Sequence, residues 1–169
     1  PSGDKKKGVE QLTLAAANAK YAATEAGYFL LQLNYTHEKQ FDKALEISQK
    51  LFAQFPNNVV FHRYVGRCFV SLGQWEKARA TFDNILSRCG NPGPAMVGYS
   101  ESARREALYY LGVYAMNIGK YDEALQDFYH CDEVSRDLDK NGESGFMVMA
   151  NLRIGFIYDL RSSRALAVQ

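Results

Sequence analysis

Arg63 and Arg67 stand four residues apart in a segment with helical apolar spacing, so their side chains leave one face a turn apart. Two guanidiniums placed this way suit a carboxylate or the C-terminal end of a peptide, gripped through charge-assisted hydrogen bonds. The same pair also reads as two solvated arginines, or as arginines paired with Glu106.

Catalytic chemistry has less to stand on. The chain holds three histidines, His37, His62 and His130. His130-Cys131-Asp132 looks like a metal cluster until the helix is drawn: consecutive residues point about 100° apart and cannot converge on one ion. His37 falls at a helix end, where bonding to the last carbonyls accounts for it. Gly-rich phosphate loops, nucleophile elbows and metal-type His spacings are missing from the sequence. The expectation is no catalytic residue, no metal and no cofactor. Cys68, Cys89 and Cys131 are an odd set without CxxC spacing, read as reduced thiols filling core space. Reduced thiols favour the cytoplasm; export stays open because the N-terminus looks cut.

Charge narrows the partners. Lysine and arginine number 20 against 19 acids, a net charge of +1 that gives no field to draw a polyanion. Nucleic acid is therefore not expected, and His62, Arg63, Tyr64 and Arg67 keep an RNA reading only as a remnant. Lys5-Lys6-Lys7 is a short basic run, suited to an acidic partner or to a solvated face. The apolar stretches are too short for a membrane span, and nothing resembles a signal peptide.

The elements that must position these residues are helices. Apolar residues recur at helical steps, as in Tyr28, Leu31 and Tyr35, or Ala124, Phe128 and Cys131, and useful strand alternation is missing. Four segments align on a small residue followed twelve later by alanine: Gln32 and Ala44, Gly66 and Ala78, Gly112 and Ala124, Gly155 and Ala167. Between them runs a recurring turn, EKQF-DKAL, LGQW-EKAR, IGKY-DEAL and RSSR-ALAV. That spacing sets the glycine and alanine facing each other across a helical hairpin, where small side chains allow a close approach.

These residues resemble the tetratricopeptide repeat, with a small residue and aromatic on the first helix, alanine and aromatic on the second, then proline. The likeness is strongest in 59–92 and 105–138; in 25–58 the closing proline is Pro56. The stretch from Pro94 to Gly112 resembles that of uncharacterised bacterial tetratricopeptide proteins. The resemblance implies an all-α, right-handed α-α solenoid of antiparallel helix pairs that binds proteins or peptides. It also places His62 at a core aromatic position. Gln32 replaces the first-helix glycine and Ser48 the second-helix aromatic in the first copy, which predicts a looser hairpin there.

From Ala44 to Ala78 is 34 residues, the length of one such repeat, whereas Ala78 to Ala124 is 46 and Ala124 to Ala167 is 43. Extra residues therefore sit at 93–104, where Ser100 is placed to N-cap a helix carrying Glu101, and around 139–147. The reading is a single solenoid over 1–169. Its parts are a lone second helix at 4–22, repeats at 25–58, 59–92 and 105–138, the insert at 93–104, and a shortened fourth repeat at 139–169. Both ends are read as cut from a longer repeat protein, or as natural ends that pack on a partner, with exposed apolar ends promoting self-association.

The first helices line the concave groove of such a solenoid. The face opposite the glycine–alanine contact carries Phe29 and Leu33, then Arg63 and Arg67, then Glu106, Tyr109, Val113 and Met116, then Leu152 and Phe156. The expected function is a protein- or peptide-binding scaffold, with the arginines as polar anchors. The rival is a structural segment whose groove is filled by its own chain or by self-association.

Overall fold

The computed structural model describes residues 4–19, 22–90 and 98–161. Every element among them is helical, and the chain divides into two compact units, 1–74 and 75–169. The boundary falls in the turn between the two helices of the 59–92 segment.

The first unit holds α1 (Lys5–Asn18), α2 (Ala23–Gln32), α3 (Phe41–Gln54) and α4 (Val59–Ser71). Asp4 caps α1 by accepting from the Lys7 amide at 3.1 Å, and its charge offsets the lysine run at the positive helix end. Asn58 caps α4 in the same way, accepting from the Val60 amide at 2.9 Å. Successive helices pack antiparallel around Leu31, Ala44, Leu51, Phe61, Tyr64 and Cys68. His62 is buried and stacks on Phe52 at 4.2 Å, as a core aromatic would.

The first hairpin departs from its relatives where the sequence departs. After Gln32 the helix widens into a π-helical turn, Leu33–His37. Gln32, standing at the small-residue position, is only half-buried and donates to the Tyr28 hydroxyl at 3.1 Å. Ser48, in place of an aromatic, is fully buried and donates to the Leu45 carbonyl at 2.9 Å. The three described copies of the recurring turn share a left-handed position, although the first closes with bonds one residue longer, Glu38 to Leu33 and Gln40 to Asn34 against Leu72 to Cys68 and Gln74 to Phe69. Gly73 and Gly119 take positive φ of 68° and 76°, and in the first copy Lys39 takes φ 53° without being glycine.

The second unit holds α5 (Trp75–Gly90), α6 (Glu101–Asn117), α7 (Tyr121–Leu138) and α8 (Gly145–Leu160). Its core gathers Leu108, Ala124, Phe128, Cys131, Ala150 and Ile157. α6 is central, packing against both α5 and α7. Ser100 stands at the N-cap of α6, but its carbonyl, not its hydroxyl, accepts from the Ala103 and Arg104 amides. The space over Gly112 is filled by the Phe128 ring, one turn beyond Ala124 on the facing helix. The partnership of Gly155 with Ala167, the Ser162-Ser163 turn and the start of the 93–104 insert lie outside the described residues.

Candidate functional site

In the first unit, α4 presents Arg63 and Arg67 next to an aromatic cluster. The Arg67 guanidinium carbon lies 5.5 Å from the Tyr64 ring centre, a cation–π distance. Tyr64 in turn meets Tyr28 and Tyr35 edge-on, at 6.1 and 5.5 Å. Burial pushes the Tyr28 phenol above its ordinary range and the neighbouring Tyr64 adds to this, while Arg67 and Arg63 pull it back. The arginines are thus half-buried members of a tyrosine–arginine cluster. Phe29 is 57% exposed on α2. Leu33, at the start of the π turn, faces a groove between α1 and α3 together with Leu30.

In the second unit, the expected residues part ways. Glu106 and Val113 are buried in the core, so neither presents its side chain to a ligand. A helix packed on both sides by α5 and α7 has a narrower exposed stripe than a four-position groove face needs, which is why those two turn inward. Tyr109 and Met116 are half-buried. Leu152 and Phe156 are 62% and 50% exposed on one face of α8.

Tyr109 opens onto a shallow pocket of about 320 Å³ shared with Gly145, Phe146 and Met149. Its ring meets Phe146 edge-on at 5.5 Å. Met149 lies three residues before Leu152 and seven before Phe156, so pocket and exposed stripe share a face of α8.

The pocket wall is fixed by polar contacts under the α7–α8 turn. Arg105 on α6 donates to Asp139 at 2.7 Å and to the Ser144 hydroxyl at 3.2 Å, and its guanidinium lies 5.5 Å from the Phe146 ring. Ser144 caps α8 by accepting from the Met147 amide. The Ser144 hydroxyl first, against burial and then with help from Arg105, holds the Asp139 carboxyl below the usual range. Asp132 on α7 accepts from Asn151 on α8 at 2.6 Å and from Arg136 at 2.8 Å. His130 meanwhile is exposed and Cys131 lies in the core, so the tempting triplet points three ways.

Phe146, Arg105 and the Asp139–Ser144 pair were not singled out from sequence. A serine just before Gly145-Phe146 was the available signal, since it marks the start of a helix whose first turn carries an aromatic.

Antiparallel helix pairs joined by a left-handed residue two positions before an aromatic, with alanine on the facing helix, define a tetratricopeptide-like class of fold. Residues 35–90 match the family described as tetratricopeptide repeat. No curated protein matches the chain. Its fold is similar to a solved structure of MamA from MSR-1 (C2), with a TM-score of 0.56 and 20% sequence identity over 96% of this chain and 87% of that one. No helix among the described residues is long and apolar enough to cross a membrane.

Proposed function

We propose that the chain is a protein-interaction scaffold that takes an extended peptide or a partner helix on the exposed face of α8 and the adjoining pocket. Tetratricopeptide repeats bind protein partners, and the observation that carries the finer reading is the Leu152–Phe156 stripe. Two large apolar side chains, half or more exposed on one helix face beside an aromatic-lined pocket, form a patch that soluble proteins seldom leave open without use. Phe146 and Tyr109 supply rigid apolar contact, and Met149 adapts to the shape of the guest. Within the first unit taken by itself, Arg63 and Arg67 remain candidates for holding a peptide carboxylate, and Phe29 is exposed on α2.

The same stripe supports a second reading, self-association through α8. One experiment separates the two. Leu152→Asp with Phe156→Asp, and separately Arg63→Glu with Arg67→Glu, are compared with the parent protein in co-purification from the source cell, and each captured partner is rebound in purified form. Loss of a purified partner in the first variant supports the scaffold; full retention in both variants refutes it. Concentration-dependent mass in sedimentation, abolished by the α8 variant and with no partner found, supports self-association instead.

A further inference from the structure

The first unit carries an open groove on a different surface. α1 and α3 both pack on α2, and between them lies a space of about 780 Å³ floored by Leu30 and Leu33. It runs on into a smaller space of about 180 Å³ over Gly27 and Leu51, the two sharing Leu30, Glu46 and Ile47. The walls are helical stripes. α1 contributes Val9, Thr13 and Ala16, and α3 contributes Lys43, Ile47, Lys50 and Gln54. Counted from Lys5 to Ala16 on α1 and from Lys43 to Gln54 on α3, each wall spans about three turns, or about 16 Å.

Two further observations mark the groove as incomplete. None of the residues of α1 is buried, although Val9, Leu12, Ala15 and Ala16 give it an apolar side. And the π-helical turn Leu33–His37 lies at one end of the groove, where Leu33 and Asn34 line it; such turns in otherwise regular helices often mark functional sites.

The rim has a charge order. Lys5, Lys6 and Lys43 gather at the end where α1 and α3 both begin, so two positive helix termini add to the lysines there. Lys5 pairs with Glu38, while Lys6 and Lys43 make no ion pair among the described residues. Glu10 on α1 and Glu46 on α3 both line the space midway, and Lys50 follows at the far end.

We propose that this groove receives a three-turn amphipathic helix of a partner protein, with acidic residues in its last turn and a basic residue midway. Its C-terminal end lies at Lys6 and Lys43, where its negative dipole end and its acids meet the positive pole. Its basic residue lies between Glu10 and Glu46. Its apolar stripe covers Val9, Leu33 and Ile47, in the manner of a helix laid into a groove. A fatty acyl chain matches the floor but leaves the two lining glutamates without a counter-charge.

The test uses the full chain and two capped, fluorescent helical peptides of about 15 residues. Both have the same leucine stripe; one ends in glutamates with a central arginine, and the other has these charges swapped. Fluorescence anisotropy is expected to show at least tenfold tighter binding of the acid-ended peptide. Lys6→Glu with Lys43→Glu, both on exposed side chains, is expected to reverse that preference. Val9→Glu, checked for folding by circular dichroism, is expected to weaken both peptides. A photo-crosslinker on the stripe is expected to label α1 and α3. The proposal is overturned if the peptides bind equally or not at all, or if dodecanoate binds and the peptides do not compete. It is also overturned if sedimentation shows a dimer that Val9→Glu dissolves, since the occupant is then a second copy. None of these variants touches α8, so this outcome is independent of the scaffold reading above.

Discussion

Gly112 on α6 lies against the Phe128 ring so closely that a β-carbon built on it would stand 2.8 Å from Phe128 Cε1. The ring is fully buried on α7 and has nowhere to retreat. Gly112→Ala is therefore expected to lower stability by about 1–3 kcal/mol through overpacking, despite the better helix propensity of alanine, worth about 1 kcal/mol. Trp75 is the only tryptophan and packs on the core of the second unit, so its fluorescence in urea reads the change. Gly27→Ala is the control: its nearest neighbour is the tip of the Leu51 side chain at 3.3 Å, which can yield. A Gly112→Ala protein as stable as its parent would show that α6 and α7 separate at no cost.

Lys39 offers the opposite effect. It holds φ 53° at the turn position that Gly73 and Gly119 fill in the next copies. The left-handed conformation costs an L-residue about 1–2 kcal/mol, and glycine avoids it. Lys39→Gly is expected to raise stability by about 1 kcal/mol, less the greater freedom glycine gains in the unfolded chain. Thermal unfolding followed by circular dichroism measures it; a lower midpoint would mean that the lysine side chain contributes more than its backbone strain costs.

That turn shows how far the sequence carries. The EKQF, LGQW and IGKY segments share a left-handed turn position because turn geometry is local, and local chemistry is legible in a short window. Helical period likewise located α2 to α8 and the burial of Ala44, Ala78 and Ala124. Which side of a first helix faces solvent is another matter. Glu106 and Val113 sit at groove spacing, yet they turn inward because α6 has neighbours on two sides, a fact of packing that one helix cannot state about itself. The Arg105–Asp139 pair is 34 residues apart in sequence, and no periodicity joins its members. The π turn after Gln32 was visible only as an ill-fitting residue at a small-residue position.

The thiols should sort by burial. Cys68 and Cys131 are buried, and burial pushes each thiol up to about 11, against smaller pulls from the Ser48 and Ser135 hydroxyls. Cys89 is half-buried near the end of α5. A thiol so far above neutral pH supplies almost no thiolate, the reactive form. A disulfide reagent at pH 8 is expected to label at most Cys89 in the native protein and all three cysteines in urea. Rapid native labelling of Cys131 would show that α7 and α8 open on the timescale of the assay.

Asp127 makes the second unit respond to pH. It lies half-buried on α7, and burial first, then the carboxylates of Asp83 and Glu123, push its pKa up to about 6 from 3.8. A carboxyl with a raised folded-state pKa binds its proton more tightly folded than unfolded. Its stabilising effect is therefore complete below the unfolded value and fades as pH rises through about 6. At pH 7 the ionised group costs roughly 1–3 kcal/mol, the higher figure assuming no relief from solvent. Asp127→Asn is expected to recover that amount at pH 7.5 and almost nothing at pH 4. Urea midpoints read from Trp75 at the two pH values give the difference between variant and parent, which removes the titration of every other group. Equal gains at both values would place the burden on packing around residue 127 and not on its charge, and a gain confined to pH 4 would reverse the sign of the argument.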